Sequence, residues 1–240
     1  MTTTPSTPRD RLIVALDFPS AAQALSLVDS LEARCQWFKV GLELYLSAGG
    51  QIVQTLRARG FDVFLDLKLH DIPNTVAGAI RSVSPLGASL LTVHASGGAP
   101  MLAAAAEAAA ATPGAPRLLA VTVLTSMDAA QLTGIGIAAS PAEQVLHLAR
   151  LAQSAGIDGL VCSPEEVPNL RRKLAGNPLL VIPGIRPAGS ASGDQRRIAT
   201  PANAIADGAS MLVVGRPITQ SPNPAAAVEA ILAQMDLVTV

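Results

Sequence analysis

Residues 11–34 read RLIVALDFPSAAQALSLVDSLEAR. A short apolar strand-like run comes first, then a serine placed to cap a helix, then apolar residues spaced three or four apart. That β-then-α unit recurs along the chain. FKVGLEL (38–44), FDVFLDLKL (61–69), SLLTVHA (89–95), RLLAVTVL (117–124), GLVCS (159–163), LLVIPGI (179–185) and MLVVGRP (211–217) are the other strand candidates. A longer gap follows the fifth, where residues 134–141 read as loop. Eight such units in 240 residues predict one α/β domain, a parallel (β/α)8 TIM barrel spanning residues 11–240. A doubly wound open sheet would carry a switch-point signal, and the sequence has no G-x-G-x-x-G.

Composition supports a large core. Hydrophobic residues make up 50 % of the chain and charged residues 15 %, against a globular norm of roughly 25 % charged. Lysine and arginine total 17 and aspartate and glutamate 18, so the net charge is −1. Nucleic-acid binding by phosphate neutralisation is therefore not expected, and 2 % aromatics are too few for base-stacking platforms. Cys35 and Cys162 form no C-x-x-C and read as reduced, buried thiols. No apolar run reaches the roughly 18 residues of a membrane span. Leu12–Leu16 is shorter than the about 7–15 residues of a signal-peptide core. The expectation is a cytoplasmic protein whose residues 1–10, MTTTPSTPRD, form a flexible tail.

Alternation within the first three strands places charge inside the barrel. Val63, Leu65, Leu67 and Leu69 share one face, and Phe64, Asp66 and Lys68 the other. Val40, Leu42 and Leu44 oppose Lys39, Gly41 and Glu43, while Leu12, Val14 and Leu16 oppose Ile13, Ala15 and Asp17. If the apolar faces pack on the helices, Asp17, Lys39, Asp66 and Lys68 converge inside, with Asp71 as a further member. Buried charges must be paired, and alternating signs meet that demand. Such a cluster either serves chemistry or plugs the barrel mouth as an ion-pair network. Glu43 fits a solvated rim as well as a site.

The loops after strands seven and eight often hold phosphate in such barrels. Here they contain VIPGIRPAGSASGDQRR and VVGRPIT. Arg216 can clamp two oxygens, Gly215 and Arg216 offer backbone N–H groups, and Arg186 adds a second cation. Residues 188–193 read as a lid, with Gln195 as a polar hand beyond it. A surface turn and an ordinary loop are the plainer readings of these segments. Thr125 and Ser126 could bond a substrate ring or cap a helix. His94 reads as a rim residue, His70 as a brace for the active loop, and His147 as a helix residue; the three share no metal-ligand spacing. No G-x-S-x-G elbow is present.

LDLKLHDIPNT (65–75) resembles the signature of the orotidine 5′-phosphate decarboxylase family, which makes UMP in pyrimidine biosynthesis. LDFPS, FKVGLEL, VHASGG, LTS, PGIRP, GDQRR and VVGRPIT follow in family order, so the resemblance runs from about residue 11 to residue 219. It implies a cofactor-free, metal-free homodimer acting on orotidine 5′-monophosphate. Lys68 would be the general acid, flanked by Asp66 and Asp71, with Lys39 completing the charged array. Lys39 and Asp17 would bond the ribose. The Asp71, Ile72 and Thr75 segment would enter the neighbouring subunit's site. Thr125 and Ser126 would face the pyrimidine, with Pro183 a further contact. Gln195 would bridge pyrimidine and phosphate, and Arg186, Gly215 and Arg216 would hold the phosphate. Two other readings are a Mg²⁺-dependent 3-keto sugar-phosphate decarboxylase or aldolase using Glu43 and Asp66, and a non-catalytic phosphate-binding barrel.

Overall fold

In the computed structural model, residues 7–187 and 197–236 are described, the side chain of Glu32 excepted. Eight parallel strands close on themselves in sequence order. They are β1 (Leu12–Ala15), β2 (Trp37–Gly41), β3 (Asp62–Leu69), β4 (Leu90–His94), β5 (Arg117–Val121), β6 (Gly159–Val161), β7 (Leu179–Ile182) and β8 (Met211–Val214). β1 pairs with both β2 and β8, which completes the barrel. The expected TIM barrel is the observed fold.

Each strand is buried on both faces, as parallel strands wrapped by helices must be. Leu12, Val14, Val63, Leu65, Leu91, Val93, Leu180 and Ile182 face outward onto the helix layer. Ile13, Ala15, Phe64, Leu90, Leu119, Val181, Met211 and Val213 form a separate cluster within the barrel. The helices answer with their own apolar stripes. Ala21–Leu31, for example, buries Ala24, Leu27, Val28 and Leu31, and the Ser20 hydroxyl accepts from the Gln23 N–H at 3.4 Å at its start.

Two expectations are corrected. FKVGLEL is not strand throughout: β2 ends at Gly41, and Leu42–Ala48 is a helix. Its residues LELYLSA are mostly good helix formers, and this local propensity overrides the short alternation of Leu42 and Leu44. Leu42 is consequently 49 % exposed instead of packed on the helix layer. Within the expected tail, Pro8–Arg11 forms one helical turn capped by Thr7 and Asp10. Arg11 then bonds the carbonyls of Ala209 and Ser210 beneath β8. Residues 1–6 lie outside the described part.

β6 has no room for a side chain at its first residue. A Cβ on Gly159 would stand 2.6 Å from the Leu118 carbonyl oxygen and 2.5 Å from Leu119 Cδ2. Gly159→Ala should therefore lower the unfolding free energy by about 1–3 kcal/mol in a denaturant titration, the usual cost of overpacking.

Candidate active site

The strands deliver their polar residues to one end. Asp17 follows β1, Lys39 lies in β2, Asp66 and Lys68 lie late in β3, and Thr125, Ser126, Pro183, Arg186, Gly215 and Arg216 follow β5, β7 and β8. All ten line a single cavity of about 550 Å³ at the C-terminal mouth, the end where barrels of this kind place their chemistry. Its volume is in the range of small-molecule sites. Ala15, Phe64, Val121, Val161 and Val213 supply its apolar wall.

At its centre the charges alternate. Lys39 Nζ donates to Asp17 Oδ1 at 2.8 Å and lies 3.7 Å from Asp66 Oδ2. Lys68 Nζ donates to Asp66 Oδ1 at 2.8 Å. The middle members are the most buried: the side chains of Lys39 and Asp66 are 11 % and 12 % exposed, against 33 % for Lys68 and 57 % for Asp17. Gly41 makes room for this line, since a Cβ there would meet Lys39 Nζ at 2.8 Å.

A distortion in β3 aims Asp66 and Lys68. Between Leu65 and Leu69 that strand advances four residues while β4 advances two, from Leu91 to Val93. Bulges of this sort re-aim side chains beside active sites. Lys68 sits in the bulge with φ at 50°, the one positive φ of a non-glycine among the described residues. That conformation costs about 1–3 kcal/mol and persists only where the surroundings enforce it. Thr92 enforces it. Its hydroxyl, fully buried, accepts from the Lys68 N–H at 2.8 Å and donates to Asp66 Oδ1 at 2.9 Å.

No motif in the sequence marks Thr92, yet its position in β4 carries a signal. It shares the inward parity of Leu90 on β4, and a hydroxyl at an interior position must bond something. The second reading of Thr125 and Ser126, as helix caps, is replaced by a better candidate. Asp128 caps the helix Ala129–Gly134, forming reciprocal bonds with Gln131 at 3.0 Å. His70 and His94 stack with ring centroids 5.2 Å apart, and His94 bonds Ser96 at 2.7 Å, so both brace the rim. Burial, helped by nearby His70 and Lys68, keeps the His94 pKa below the ordinary histidine value.

The other candidates are not among the described residues that line the cavity. Asp71, Ile72 and Thr75 are exposed and do not line the cavity of their own chain; Asp71 Oδ1 accepts from the Ile72 N–H at 2.6 Å. Gln195 and residues 188–193 lie outside the described part. Glu43 is exposed on the first turn of Leu42–Ala48 and away from the cavity. The Mg²⁺ reading loses one of its two ligands by that placement, and both oxygens of Asp66 already face ammonium groups.

Fold and site together define a barrel enzyme with a preorganised charge array and flanking arginines, suited to an anionic substrate. A profile described as orotidine 5′-phosphate decarboxylase / HUMPS family matches residues 10–231. A Halorhodospira halophila protein named orotidine 5′-phosphate decarboxylase is 58 % identical over 225 residues, covering 94 % of this chain and 95 % of the relative. One of the same name from Nitrosococcus oceani is 54 % identical over 228 residues, covering 95 % and 98 %. A crystal structure of the Lactobacillus acidophilus orotidine 5′-phosphate decarboxylase superposes with a TM-score of 0.83 at 40 % identity, covering 94 % of this chain and 99 % of that one. The chain belongs to the orotidine 5′-phosphate decarboxylase / HUMPS family.

Asp66 makes the array sensitive to acid. Burial alone would raise its pKa, but Lys39 and Lys68, with hydrogen bonds from Lys68 and Thr92, outweigh burial and hold it below the ordinary carboxylate value. A carboxylate with a depressed folded-state pKa stabilises the fold fully above its unfolded value, about 3.9, and loses that contribution as pH falls through the folded value. Asp66→Asn should therefore melt below the parent at pH 7, and the two melting curves should converge as the pH is lowered below that window.

Proposed function

We propose that this chain decarboxylates orotidine 5′-monophosphate to UMP and CO2 without a cofactor, with Lys68 stabilising and then protonating the carbanion at C6. The alternating array of Asp17, Lys39, Asp66 and Lys68 at the cavity centre supports this reading most strongly. The sequence relatives that share most of the chain carry the same activity in their names.

The chemistry sets a demand that the array can meet. When the C6–carboxylate bond breaks, its electron pair stays on C6 in an sp² orbital orthogonal to the ring π system, with no electron sink. Fixed charge must stabilise that pair, and a preorganised ammonium in a water-poor site does so without reorganising at the moment of reaction. Lys68 Nζ then gives its proton to C6, yielding UMP and a neutral amine that solvent reprotonates. Asp66 lies beside the departing carboxylate. Its charge is held by Lys39 and Lys68, so it fixes the ammonium while disfavouring a second anion nearby.

Asp17 and Lys39 bond the ribose in this reading, and Thr125 and Ser126 face the pyrimidine against Pro183. Arg186, the Gly215 and Arg216 N–H groups and the Arg216 guanidinium hold the phosphate, and Gln195 bridges pyrimidine and phosphate. Binding energy from that remote group can be spent on keeping the array in place, so a substrate without phosphate should lose turnover as well as affinity. The enzyme acts in the cytoplasm as a homodimer. The exposed segment of Asp71, Ile72 and Thr75, with Ile72 67 % exposed, enters the partner's cavity and adds Asp71 to the array there.

Incubation with orotidine 5′-monophosphate, followed by loss of its ultraviolet absorbance, tests the activity. Parent enzyme should consume it in the presence of chelator, and strict metal dependence would favour the sugar-phosphate reading instead. Lys68→Ala should abolish UMP formation with the circular dichroism spectrum unchanged; near-parental turnover would remove Lys68 as the acid. The shared site is tested by mixing inactive Lys68→Ala and Asp71→Ala subunits. In a symmetric dimer each heterodimer regains one of two sites, so random exchange should restore about a quarter of the parental activity. Verified heterodimers without any rescue would contradict the arrangement.

A further inference from the structure

Beneath the cavity rim lies a buried ion pair whose members do not line the cavity. Arg197 and Glu166 are in direct contact, their side chains 9 % and 4 % exposed. The Arg197 guanidinium also donates to the Leu124 carbonyl at 3.0 Å. Glu166 Oε2 accepts from the Ser163 N–H at 2.9 Å. Two residues beyond Arg197, the Ala199 carbonyl accepts from the Arg186 N–H at 2.9 Å and the Ala199 N–H donates to Gly184 at 3.3 Å, forming an isolated parallel bridge.

Three loops therefore meet around Arg197: its side chain reaches Leu124 and Glu166, and the backbone just beyond it bonds Gly184 and Arg186. Leu124 directly precedes Thr125 and Ser126, all three of which line the cavity. Ser163 and Glu166 fix the turn that follows Cys162, another lining residue. Ala199 fixes the backbone of Arg186 on the far side. Energetics argue against stability as the reason for the pair. A buried ion pair roughly breaks even against apolar side chains of similar size. This one also leaves Arg197 Nε buried without a partner among the described residues, itself a cost.

We infer that Arg197 is a positioning residue: paired with Glu166, its guanidinium ties the loops after β5, β6 and β7 together, so that Thr125, Ser126 and Arg186 face one nucleotide at once. This rests on reading the cavity as the nucleotide site. Arg197 does not line the cavity, and it acts by setting the distance between the residues that hold the pyrimidine and those that hold the phosphate.

Two variants separate positioning from stability. Glu166→Leu combined with Arg197→Met removes both charges and should keep a near-parental melting temperature, because no unpaired charge stays buried. Arg197→Lys keeps the charge beside Glu166 but loses the planar fork that reaches Leu124. Both should raise KM for orotidine 5′-monophosphate by about tenfold, or about 1.4 kcal/mol, with a smaller change in kcat. Amide hydrogen exchange at residues 124–126 and 184–186 should quicken in both. Parental KM and parental exchange in either folded variant would overturn the inference. If the parent itself fails to consume orotidine 5′-monophosphate, the site reading falls, while the exchange measurement still decides whether Arg197 holds the loops. Should the double variant not fold, Arg197→Lys alone decides, by the same two readouts.

Discussion

One carboxylate organises this site. Asp66 stands between two ammonium groups, 2.8 Å from Lys68 and 3.7 Å from Lys39, and is almost wholly removed from water. Removal of a charge from water is tolerable only with compensation of this kind, and compensation on both sides fixes where each lysine can be. The line extends to Asp17, where exposure rises and the constraint relaxes. The bulge, the positive φ of Lys68 and the buried Thr92 hydroxyl are all ways of holding that geometry. Local backbone strain is thus part of the site, held by hydrogen bonds and packing around it.

The barrel was legible because its grammar is periodic. Strand-then-helix units recur, and the inward parity of Ile13, Ala15, Phe64 and Asp66 follows from a period of two. Where period-two alternation was short and helix propensity high, as at Leu42–Leu44, the reading failed. A few alternating residues cannot outweigh a run of good helix formers once Gly41 ends the strand. The one-turn helix of Pro8–Arg11 was hidden for a different reason. Its anchor is Arg11 reaching the carbonyls of Ala209 and Ser210, 198 and 199 residues away in sequence, a contact that no local pattern announces.

The candidate site was legible to the same depth. Charges on the inward parity of strands can be counted from sequence, so Asp17, Lys39, Asp66 and Lys68 could be placed together. The bulge could not, since it depends on register against β4, and neither could the contact between Arg197 and Glu166, whose partners are 31 residues apart. Exposed Asp71, Ile72 and Thr75 mark the opposite limit. The role proposed for them, in a partner's cavity, rests on their resemblance to a shared-site segment together with that exposure.

The proposed chemistry depends on where the Lys68 ammonium points when a nucleotide is bound. A crystal structure of the enzyme with UMP measures it directly. Lys68 Nζ should lie about 3–3.5 Å from C6 of the pyrimidine, the separation of a near-attack geometry, with Asp66 still bonded to it. An ammonium turned away from C6, with the base held elsewhere in the cavity, would remove Lys68 as the group that stabilises and protonates the carbanion.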